Sequence, residues 1–360
     1  MRVVVIGGSG NFGTRICRRL SREPGIEVIA TGRHAVEATP PVSRTAIDLY
    51  APDFTAALRR LHPDVVIHCA GPYQGQDYRV VGAALACGAH YIDLADGREF
   101  VVQFAAHNQT AALCACRVAI TGASTLPALS SAVIDHLYQQ FSLVEEIEIV
   151  IAPGQHAPRG KATIAAVLSY AGRGFRWRQS GTWRTAYGWQ ELRRIRFPFG
   201  TRYAAACDVP DLALLPDRYP GVRTVTFRAA LEVPLQHYVL WCIAGLRRIG
   251  VPLPAERWAG ALNRTASWLD RFGSDCGGMS VRVVGKDESG SRRCATWYLV
   301  AKSNHGPEIP CMAAILLTGK LAAGSVPHGA RACMGMLTLS DFESEFARWD
   351  IRTSIEDSAA

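Results

Sequence analysis

Short apolar runs alternate with segments of helical periodicity over the first 125 residues of the chain. The runs are continuous rather than alternating, which is typical of strands that are buried on both faces of a sheet. Between them apolar residues recur every three or four positions, as in Phe12, Ile16 and Leu20, and this spacing indicates amphipathic helices. The strand-like runs lie at 2–7, 27–32, 45–49, 64–71, 90–95 and 117–122. Strand and helix in this order predict an α/β fold with a doubly wound parallel sheet, the Rossmann arrangement.

Beyond Thr125 several stretches alternate apolar and polar residues, a pattern typical of strands with one buried face. Strand-like stretches lie at 144–151, 223–233, 278–287 and 294–303, and helical ones near 129–141, 161–171, 236–249, 256–272 and 311–323. The sequence therefore predicts a second domain of the α+β class, with a mixed or antiparallel sheet.

The bulk composition is that of an ordinary globular protein. Of the 360 residues 49% are hydrophobic and 19% are charged, which excludes the disordered class, and the length fits two domains. The N-terminus carries no recognisable secretory signal. The apolar stretches "YVLWCIAGL" and "CMAAILLTG" are ended by Arg247 and Lys320, short of the ~20 residues that a bilayer helix needs. We predict that both are buried helices rather than membrane spans.

Eleven cysteines are scattered along the chain without a CxxC pair, and several lie within apolar runs. Buried, reduced thiols in this pattern favour a cytoplasmic protein without a bound metal.

The net charge is +8, and arginines crowd residues 173–202, where they are interleaved with Trp177, Trp183 and Trp189. An exposed sheet face is the interpretation that we favour, and an anion-recognising substrate surface is the main alternative. Binding of nucleic acid or of a membrane surface is the remaining alternative, but no nucleic-acid-binding motif accompanies the arginines elsewhere in this sequence.

Glycines cluster where the first strand meets the first helix. Gly8, Gly10 and Gly13 form the pattern G-x-G-x-x-G, and Gly7 precedes it, in the context that a dinucleotide site requires. We predict that Gly8 makes the tight turn, that Gly10 lets the backbone approach a pyrophosphate, and that Gly13 lets the helix pack against the strand. Free N–H groups and the positive dipole end of the helix would bind the phosphates.

The tip of the second strand discriminates between NAD and NADP. An NAD site places an Asp or Glu about 20 residues beyond the glycines, where it accepts from the ribose 2′-OH. This chain has Thr31, Gly32 and Arg33 at that place and no carboxylate. Because a guanidinium binds phosphate through two parallel hydrogen bonds, we predict NADP, with Arg33 at its 2′-phosphate. The alternative is that Arg33 is a solvated surface arginine.

Polar residues follow the next strands at their carboxyl ends, the edge where ligands bind in open α/β sheets. They are Tyr73, Gln74 and Gln76 after the fourth strand, Asp93 and Asp96 after the fifth, and Ser124 and Thr125 after the sixth. Their convergence predicts a pocket for a hydride acceptor, with Gln74, Gln76, Ser124 and Thr125 as the substrate contacts.

Reduction of a ketone or an imine needs a proton donor near the heteroatom. Asp96 is the first candidate, because burial would raise its pKa, and the alternative is that Asp96 caps the helix that starts near Arg98. Tyr73 is the second candidate, and it would either donate a proton or pack on the nicotinamide. Asp93 is predicted to be a structural hydrogen-bond acceptor.

Three segments resemble those of the saccharopine dehydrogenase-like oxidoreductases: "GGSGNFG", "AGPYQGQDYRVVGAALACGAHYIDLADGREF" and "GASTLPALSSAVID". The similarity is clearest over residues 1–135, and "RFGSDCGGMSVRVVGKD" and "HGPEIPCMAAILLTGKLAAG" resemble later segments of the same group. The resemblance implies NADPH-dependent reduction or its reverse. It also implies a Rossmann domain with an inserted α+β domain, after which the chain returns to the first domain.

The resemblance therefore implies that residues 1–125 form a dinucleotide-binding Rossmann domain, to which residues 306–345 return. Residues 126–305 would form an α+β domain for substrate binding or dimerisation. The last residues, 351–360, are expected to be a frayed tail. The resemblance also implies which positions hold the cofactor. They are Gly7, Gly8, Ser9, Gly10, Asn11, Phe12 and Gly13 in the loop, Thr31, Gly32 and Arg33 after the second strand, Asp48 near the adenine, and the loop of Ala70, Gly71 and Pro72.

The resulting prediction is a cytoplasmic NADP-dependent oxidoreductase that transfers a hydride between the nicotinamide and a C=N or C=O carbon of a small anionic substrate. It expects no nucleic acid and no membrane span, and it leaves a homodimer open. Two alternatives remain open. One is a non-catalytic NADP-sensing regulatory protein, and the other is an enoyl reductase acting on a C=C bond of a thioester-carried chain.

Overall fold

The computed structural model describes residues 1–33, 40–158, 167–254, 258, 260 and 268–359. The chain divides into two compact units, of which the first comprises Met1–Leu129 with Pro307–Leu337 and the second Ser130–Gly306 with Thr338–Ala360. The predicted boundaries therefore move by a few residues, and the stretch from Thr338 onward lies in the second unit rather than the first. The helices predicted near 161–171 and 256–272 fall largely outside the described residues.

The first unit is built on a seven-stranded sheet in which every pair of neighbouring strands is parallel. Its strands are β1 (Arg2–Ile6), β2 (Glu27–Gly32), β3 (Ser43–Ala46), β4 (Val65–His68), β5 (His90–Asp93), β6 (Val118–Thr121) and β15 (Gly329–Ala332), in the order β15-β6-β5-β4-β1-β2-β3. The apolar run of β1 lies at the centre, where Val3, Val4 and Val5 are fully buried. The predicted doubly wound sheet is confirmed.

Helices connect these strands and cover the sheet. They are α1 (Asn11–Leu20), α2 (Phe54–Arg59), α3 (Arg79–Ala86), α4 (Arg98–Cys114) and α8 (Ile309–Ala322). Helix α8 is buried along most of its length, as predicted for "CMAAILLTG", and the Cys311 thiol contacts the carbonyl oxygen of Phe12 at 3.6 Å. Among the helices of the described residues, none is long and apolar enough to cross a bilayer.

The second unit contains a nine-stranded mixed sheet. Its strands are β7 (Leu143–Ala152), β8 (Gly174–Gln179), β9 (Thr182–Tyr187), β10 (Arg193–Phe197), β11 (Gly200–Ala206), β12 (Thr224–Leu231), β13 (Gly277–Lys286), β14 (Arg292–Ala301) and β16 (Ile351–Ala359). Strand β12 runs parallel to β7 and the other pairs are antiparallel. The helices are α5 (Ser130–Tyr138), α6 (Asp211–Arg218), α7 (Pro234–Arg248) and α9 (Leu339–Phe346). The predicted α+β class is confirmed.

The arginine- and tryptophan-rich stretch forms β8, β9, β10 and the start of β11. Trp177 and Trp189 are buried, whereas Trp183 is 41% exposed, so two of the three indole rings belong to the core. Most of the arginines remain at the surface, namely Arg173, Arg176, Arg184, Arg193, Arg194 and Arg196.

The expectation of a frayed C-terminal tail is wrong. Strand β16 pairs with β14 along its whole length, with Ile351 opposite Ala301 and Ile355 opposite Trp297. Helix α9 precedes it and begins with a capping box, in which the side chains of Thr338 and Asp341 accept from each other's backbone N–H groups. The tail is ordered because it completes the edge of the second sheet.

Candidate active site

The glycine loop makes its left-handed turn at Gly7 rather than at the predicted Gly8. Gly7 has φ +79°, a conformation that side chains rarely adopt, and its N–H donates to the Thr31 carbonyl at 3.0 Å. A Cβ atom on Gly7 would lie 3.0 Å from the backbone nitrogen of Ala70. The turn therefore brings the loop against the ends of both β2 and β4.

Gly8 and Gly13 serve close packing. A Cβ atom on Gly8 would lie 2.7 Å from the Cβ of Ala30, and one on Gly13 would lie 2.7 Å from the Cα of Gly8. Real Cβ atoms do not approach other atoms so closely, so the first turn of α1 reaches β1 and β2 only because both residues are glycine.

The N-terminus of α1 is open to an anion. Gly10 is its N-cap, no side chain caps the helix, and its first turn has no acidic residue. Gly10 and Ser9 are exposed. Asn11 accepts at Oδ1 from Arg15 at 2.8 Å, within the first turn. Uncapped N–H groups at the positive end of the helix fit a pyrophosphate.

The tip of β2 places Arg33 at the surface beside this loop. Thr31 is 2% exposed and bonds to the Val5 carbonyl, so it supports the loop from behind instead of meeting a ligand. A Cβ atom on Gly32 would lie 3.0 Å from Ser9 Oγ. Arg33 follows directly and is exposed, which suits a residue that receives a phosphate.

Asp48 lies next to the tip of β2. The Ile47 N–H donates to the Gly32 carbonyl at 2.9 Å, and the exposed Asp48 carboxylate accepts from the Tyr50 N–H at 3.0 Å. This is an Asx-type turn at the adenine end of the predicted site.

Gln76 holds the Ala70–Gly71–Pro72 loop instead of facing a pocket. Its Nε2 donates to the carbonyl oxygens of Ala70 at 2.8 Å and Pro72 at 2.7 Å. The prediction that Gln76 contacts substrate therefore gives way to a structural role. Its two hydrogen bonds fix the backbone of the loop beside Gly7.

Tyr73 is also structural in this arrangement. The side chain is 4% exposed, its hydroxyl donates to the His68 carbonyl at 2.6 Å, and its ring packs against Phe100. Burial raises the pKa of Tyr73 well above its ordinary value, which opposes ionisation. The structure therefore does not present Tyr73 as a proton donor.

A buried polar cluster lies beneath the ends of β4, β5 and β6. Asp93 is fully buried and accepts at Oδ1 from Thr121 Oγ1, the Gly122 N–H and the Ala95 N–H at 2.8–2.9 Å. It is the structural acceptor that the sequence predicts, and desolvation raises its pKa to about 6. These three hydrogen bonds tie the turn after β5 to the end of β6.

His68 belongs to the same cluster, although it is not among the site residues predicted from the sequence. Its Nδ1 lies 3.1 Å from the Tyr91 hydroxyl, and burial lowers its pKa to about 4, so the ring is neutral. Within the described residues, His68 Nε2 and Asp93 Oδ2 have no hydrogen-bond partner. The signal that could have revealed the cluster is a histidine inside the otherwise apolar run of β4.

Asp96 is the one predicted proton donor that solvent reaches. Surrounding protein atoms desolvate the carboxyl group and raise its pKa. A hydrogen bond from Gln74 Nε2 at 3.4 Å acts in the opposite direction and is the weaker effect. The predicted alternative, that Asp96 caps the next helix, does not hold: α4 has Gly97 as its N-cap and no side-chain cap. A Cβ atom on Gly97 would lie 3.3 Å from the backbone of Tyr73, which places Asp96 beside the loop after β4.

Ser124 and Thr125 are half-buried after β6. The neighbouring Ala123 N–H donates to the Asp93 carbonyl at 2.8 Å, so this turn adjoins the turn that carries Asp96. One edge of the sheet thus collects the glycine loop, the 70–72 loop, Asp96 with Gln74, and Ser124. This is the arrangement that a dinucleotide with an adjoining reaction site requires.

A separate cavity of about 360 Å³ lies in the second unit. Its lining comes from the sheet strands and combines both charges, with Arg196 and Arg282 beside Glu148 and Glu356. Arg196 belongs to the arginine-rich stretch, so part of that stretch faces a concave surface.

Comparison with known proteins agrees with this geometry. Residues 3–124 match a family model described as the saccharopine dehydrogenase NADP binding domain. No curated protein sequence matches the chain. The match confirms the resemblance found in the sequence over the first domain.

Solved structures extend the similarity in fold to the whole chain. Apo histidine-tagged saccharopine dehydrogenase (L-Glu forming) from Saccharomyces cerevisiae superposes with a TM-score of 0.69 and 12% identity, over 99% of this chain and 100% of that chain. Homospermidine synthase from Legionella pneumophila in complex with NAD superposes with a TM-score of 0.61 and 9% identity, over 100% of this chain and 92% of that chain. DAP dehydrogenase from C. glutamicum in complex with DAP superposes with a TM-score of 0.50 and 14% identity, over 96% of this chain and 98% of that chain.

Proposed function

We propose that this chain, whose residues 3–124 match the saccharopine dehydrogenase NADP binding domain, transfers a hydride between NADP(H) and a C=N or C=O carbon of a small anionic substrate. The match to an NADP-binding domain supports an NADP-dependent oxidoreductase, and the proposal adds the type of bond and the class of substrate. When bound, the nicotinamide supplies or takes the hydride, and the protein supplies orientation and the proton.

The residues that would hold the cofactor follow the edge of the first sheet. The N-terminus of α1 would take the pyrophosphate, because its N–H groups are uncapped and Gly10 leaves room for close approach. Arg33 would bind the 2′-phosphate, and Asp48 would lie near the adenine. The loop fixed by Gln76 would support the nicotinamide ribose.

A single observation carries the chemical part of the proposal, namely the Asp96 carboxyl group beside the loop after β4. Solvent reaches the side chain, its Oδ1 lies 3.4 Å from Gln74 Nε2, and neighbouring protein atoms replace part of its hydration, which raises its pKa. A carboxyl group with a raised pKa holds a proton nearer to neutral pH and can give it to nitrogen or oxygen as a hydride reaches the carbon. In the reverse direction the carboxylate would take that proton back.

The anionic substrate is inferred from the positive charge of the second unit. Six exposed arginines lie on or beside β8, β9 and β10. A guanidinium recognises a carboxylate through two parallel hydrogen bonds, so an amino acid or an oxo acid is the class to test first.

The test follows oxidation of NADPH with oxo acids, alone and together with amino acids or diamines that would form imines. Asp96→Asn is expected to lower kcat at least 100-fold while the dissociation constant for NADPH stays within a factor of three. Asp77→Asn is the matched control, since Asp77 is exposed near the same loop and pairs with Arg79.

Two outcomes would contradict the proposal. Tight NADPH binding without turnover on any of these substrates would favour the regulatory alternative. Turnover that is insensitive to Asp96→Asn would remove this carboxyl group from the reaction.

A further inference from the structure

Helix α7 turns an apolar face to solvent. The exposed side chains Leu235, Val239, Cys242, Leu246 and Ile249 follow one another at intervals of three or four residues, so they form a single stripe along the helix, and exposed Tyr238 lies at its edge. Ile249 is 75% and Leu235 is 59% exposed. A surface helix ordinarily carries its charged residues on this side.

The opposite side of α7 is apolar as well. His237, Leu240 and Ala244 are buried, and the helix packs on β11 and β12. The prediction that "YVLWCIAGL" is a buried helix is therefore wrong for half of its circumference. A helix with apolar residues on opposite sides is normally covered on both, and this one is covered on one side only.

Further exposed aromatic residues lie in the segment that precedes Ser274. Phe272 is 64% and Trp268 is 76% exposed. They are held near the start of α7, because Ser274 donates its N–H and hydroxyl groups to Glu232, at 2.9 and 2.7 Å. On α7 itself, Trp241 lies next to Cys242 of the stripe and is 40% exposed. Tryptophan is typical of membrane–water interfaces, because its side chain combines an apolar ring with a polar N–H group.

The charge close to the stripe is mainly positive. The sequence from Val233 to Pro254 contains no Asp or Glu and ends its helix with Arg247 and Arg248. Arg173 is exposed beside them, since a Cβ atom on the adjoining Gly172 would lie 2.9 Å from the Cβ of Arg247.

A further exposed arginine lies along the middle of α7. Arg194 stands opposite Tyr203 in the β10–β11 ladder, and the Tyr203 ring lies 5.5 Å from that of Tyr238. Arginines therefore lie on both sides of the stripe. The acidic residues near it in the described structure include Glu232, which pairs with Arg202, and Glu191, which follows the Gln190 that donates to the Trp241 carbonyl.

We propose that this face of α7 binds the surface of a bilayer that contains anionic lipids, with the helix lying in the plane of the interface. The apolar stripe would enter the boundary between headgroups and acyl chains, and the arginines would meet the phosphate groups of the lipids. Positive charge beside the stripe complements an anionic lipid surface, whereas a second copy of the same face would bring arginines toward arginines. The proposal does not depend on the reaction proposed above.

Cosedimentation of the full chain with vesicles tests the proposal. Vesicles of phosphatidylcholine with phosphatidylglycerol are compared with vesicles of phosphatidylcholine alone. We expect binding to the anionic vesicles, a loss of at least tenfold in affinity for the double variant Val239→Asp with Leu246→Asp, and weaker binding for Arg194→Glu. Higher salt should weaken the binding of the unaltered protein.

The first unit offers a matched control on α4. Val102 is 42% and Leu113 is 49% exposed, against 42% for Val239 and 44% for Leu246. The double variant Val102→Asp with Leu113→Asp therefore makes the same chemical change outside the stripe and should bind vesicles as the unaltered protein does. Circular dichroism checks that both double variants are folded.

Three results would overturn the proposal. The first is no binding of the unaltered protein to either kind of vesicle, and the second is equal binding of the two double variants. The third is a dimer in sedimentation velocity that does not bind vesicles and that only the Val239 and Leu246 substitutions dissociate, which would assign the stripe to a contact between copies.

Discussion

The carbonyl oxygen of Gly7 lies 2.2 Å from the position that a Cβ atom would take on Gly13. The atoms concerned are backbone atoms, so no side-chain movement could relieve such a contact. The first turn of α1 and the loop before it are therefore compatible with one another only while residue 13 has no side chain.

Replacing Gly13 by alanine should displace the glycine loop and weaken NADPH binding at least tenfold. Gly82 provides the control, since it lies within α3 with open space where its Cβ would stand. Gly82→Ala should leave affinity unchanged and leave stability equal or slightly higher, because alanine favours helix. Calorimetric titration with NADPH measures both variants. Equal affinities would show that the close packing is not needed for binding.

Arg33→Ala should reduce the preference for NADPH over NADH by at least tenfold, since a charge-assisted pair with phosphate contributes about 1.5–3 kcal/mol. The loss should appear in the affinity for NADPH and not in that for NADH. Arg22 is an exposed arginine beyond the opposite end of α1, and Arg22→Ala should change neither affinity. An unchanged preference in Arg33→Ala would place the 2′-phosphate elsewhere.

Tyr73→Phe should preserve turnover to within a few-fold while lowering the free energy of unfolding by about 1 kcal/mol. The variant keeps the buried ring and removes only the hydroxyl group that donates to the His68 carbonyl. Denaturant unfolding and steady-state kinetics on one preparation separate the two effects. A hundredfold loss of kcat with normal stability would return Tyr73 to the list of proton donors.

Asp211 should make the second unit less stable as the pH rises. The side chain is fully buried at the start of α6, accepts from the Ser130 hydroxyl, and desolvation raises its pKa from 3.8 to about 7. Between these values the folded protein retains a proton that the unfolded chain releases. The stability that this proton provides is complete below the unfolded pKa and is lost as the pH rises through the folded pKa.

Between the two pKa values the free energy of unfolding should fall by up to about 1.4 kcal/mol per pH unit. Asp211→Asn removes the titrating group, so its free energy of unfolding should fall less steeply than that of the unaltered protein over this range. Urea unfolding at a series of pH values measures both slopes. Parallel curves would mean that Asp211 ionises normally in the folded state.

Removal of residues 351–360 should lower the Tm by roughly 5 °C or more and promote aggregation. The deletion takes away β16 and leaves β14 as an unpaired edge. Removal of only the last three residues should have a small effect, because the pairs from Ile351 to Asp357 remain. A thermal scan with light scattering follows both quantities, and a melting curve that the longer deletion leaves unaltered would argue against the pairing.

The parallel sheet was predictable because burial on both faces leaves a local signature, a continuous apolar run such as "RVVVI" in β1. Strand β16 leaves no such signature, since "IRTSIEDSA" is mostly polar and is ordered only by its partner β14. Strand β15 is short and rich in small residues, and its place in the sheet depends on pairing with the distant β6.

The candidate site was predictable in position and less so in detail. Spacing relative to the strands located Asp96, Arg33 and the glycines, because parallel strands bring their carboxyl ends to one edge. The spacing could not show that Gln76 and Tyr73 bond to backbone carbonyl groups. Such hydrogen bonds depend on side-chain direction and on the path of a loop, and neither can be inferred from the residue types alone.

The division of the chain has a consequence for synthesis on the ribosome. The first unit needs Pro307–Leu337 for β15 and α8, and these residues follow the main part of the second unit. At 5–20 residues per second the intervening segment takes roughly 10 to 35 s to synthesise. During that time the nascent β6 has an open edge, and the second sheet in turn lacks β16. Neither unit can therefore finish folding co-translationally before nearly the whole chain has emerged, unlike two domains arranged in tandem.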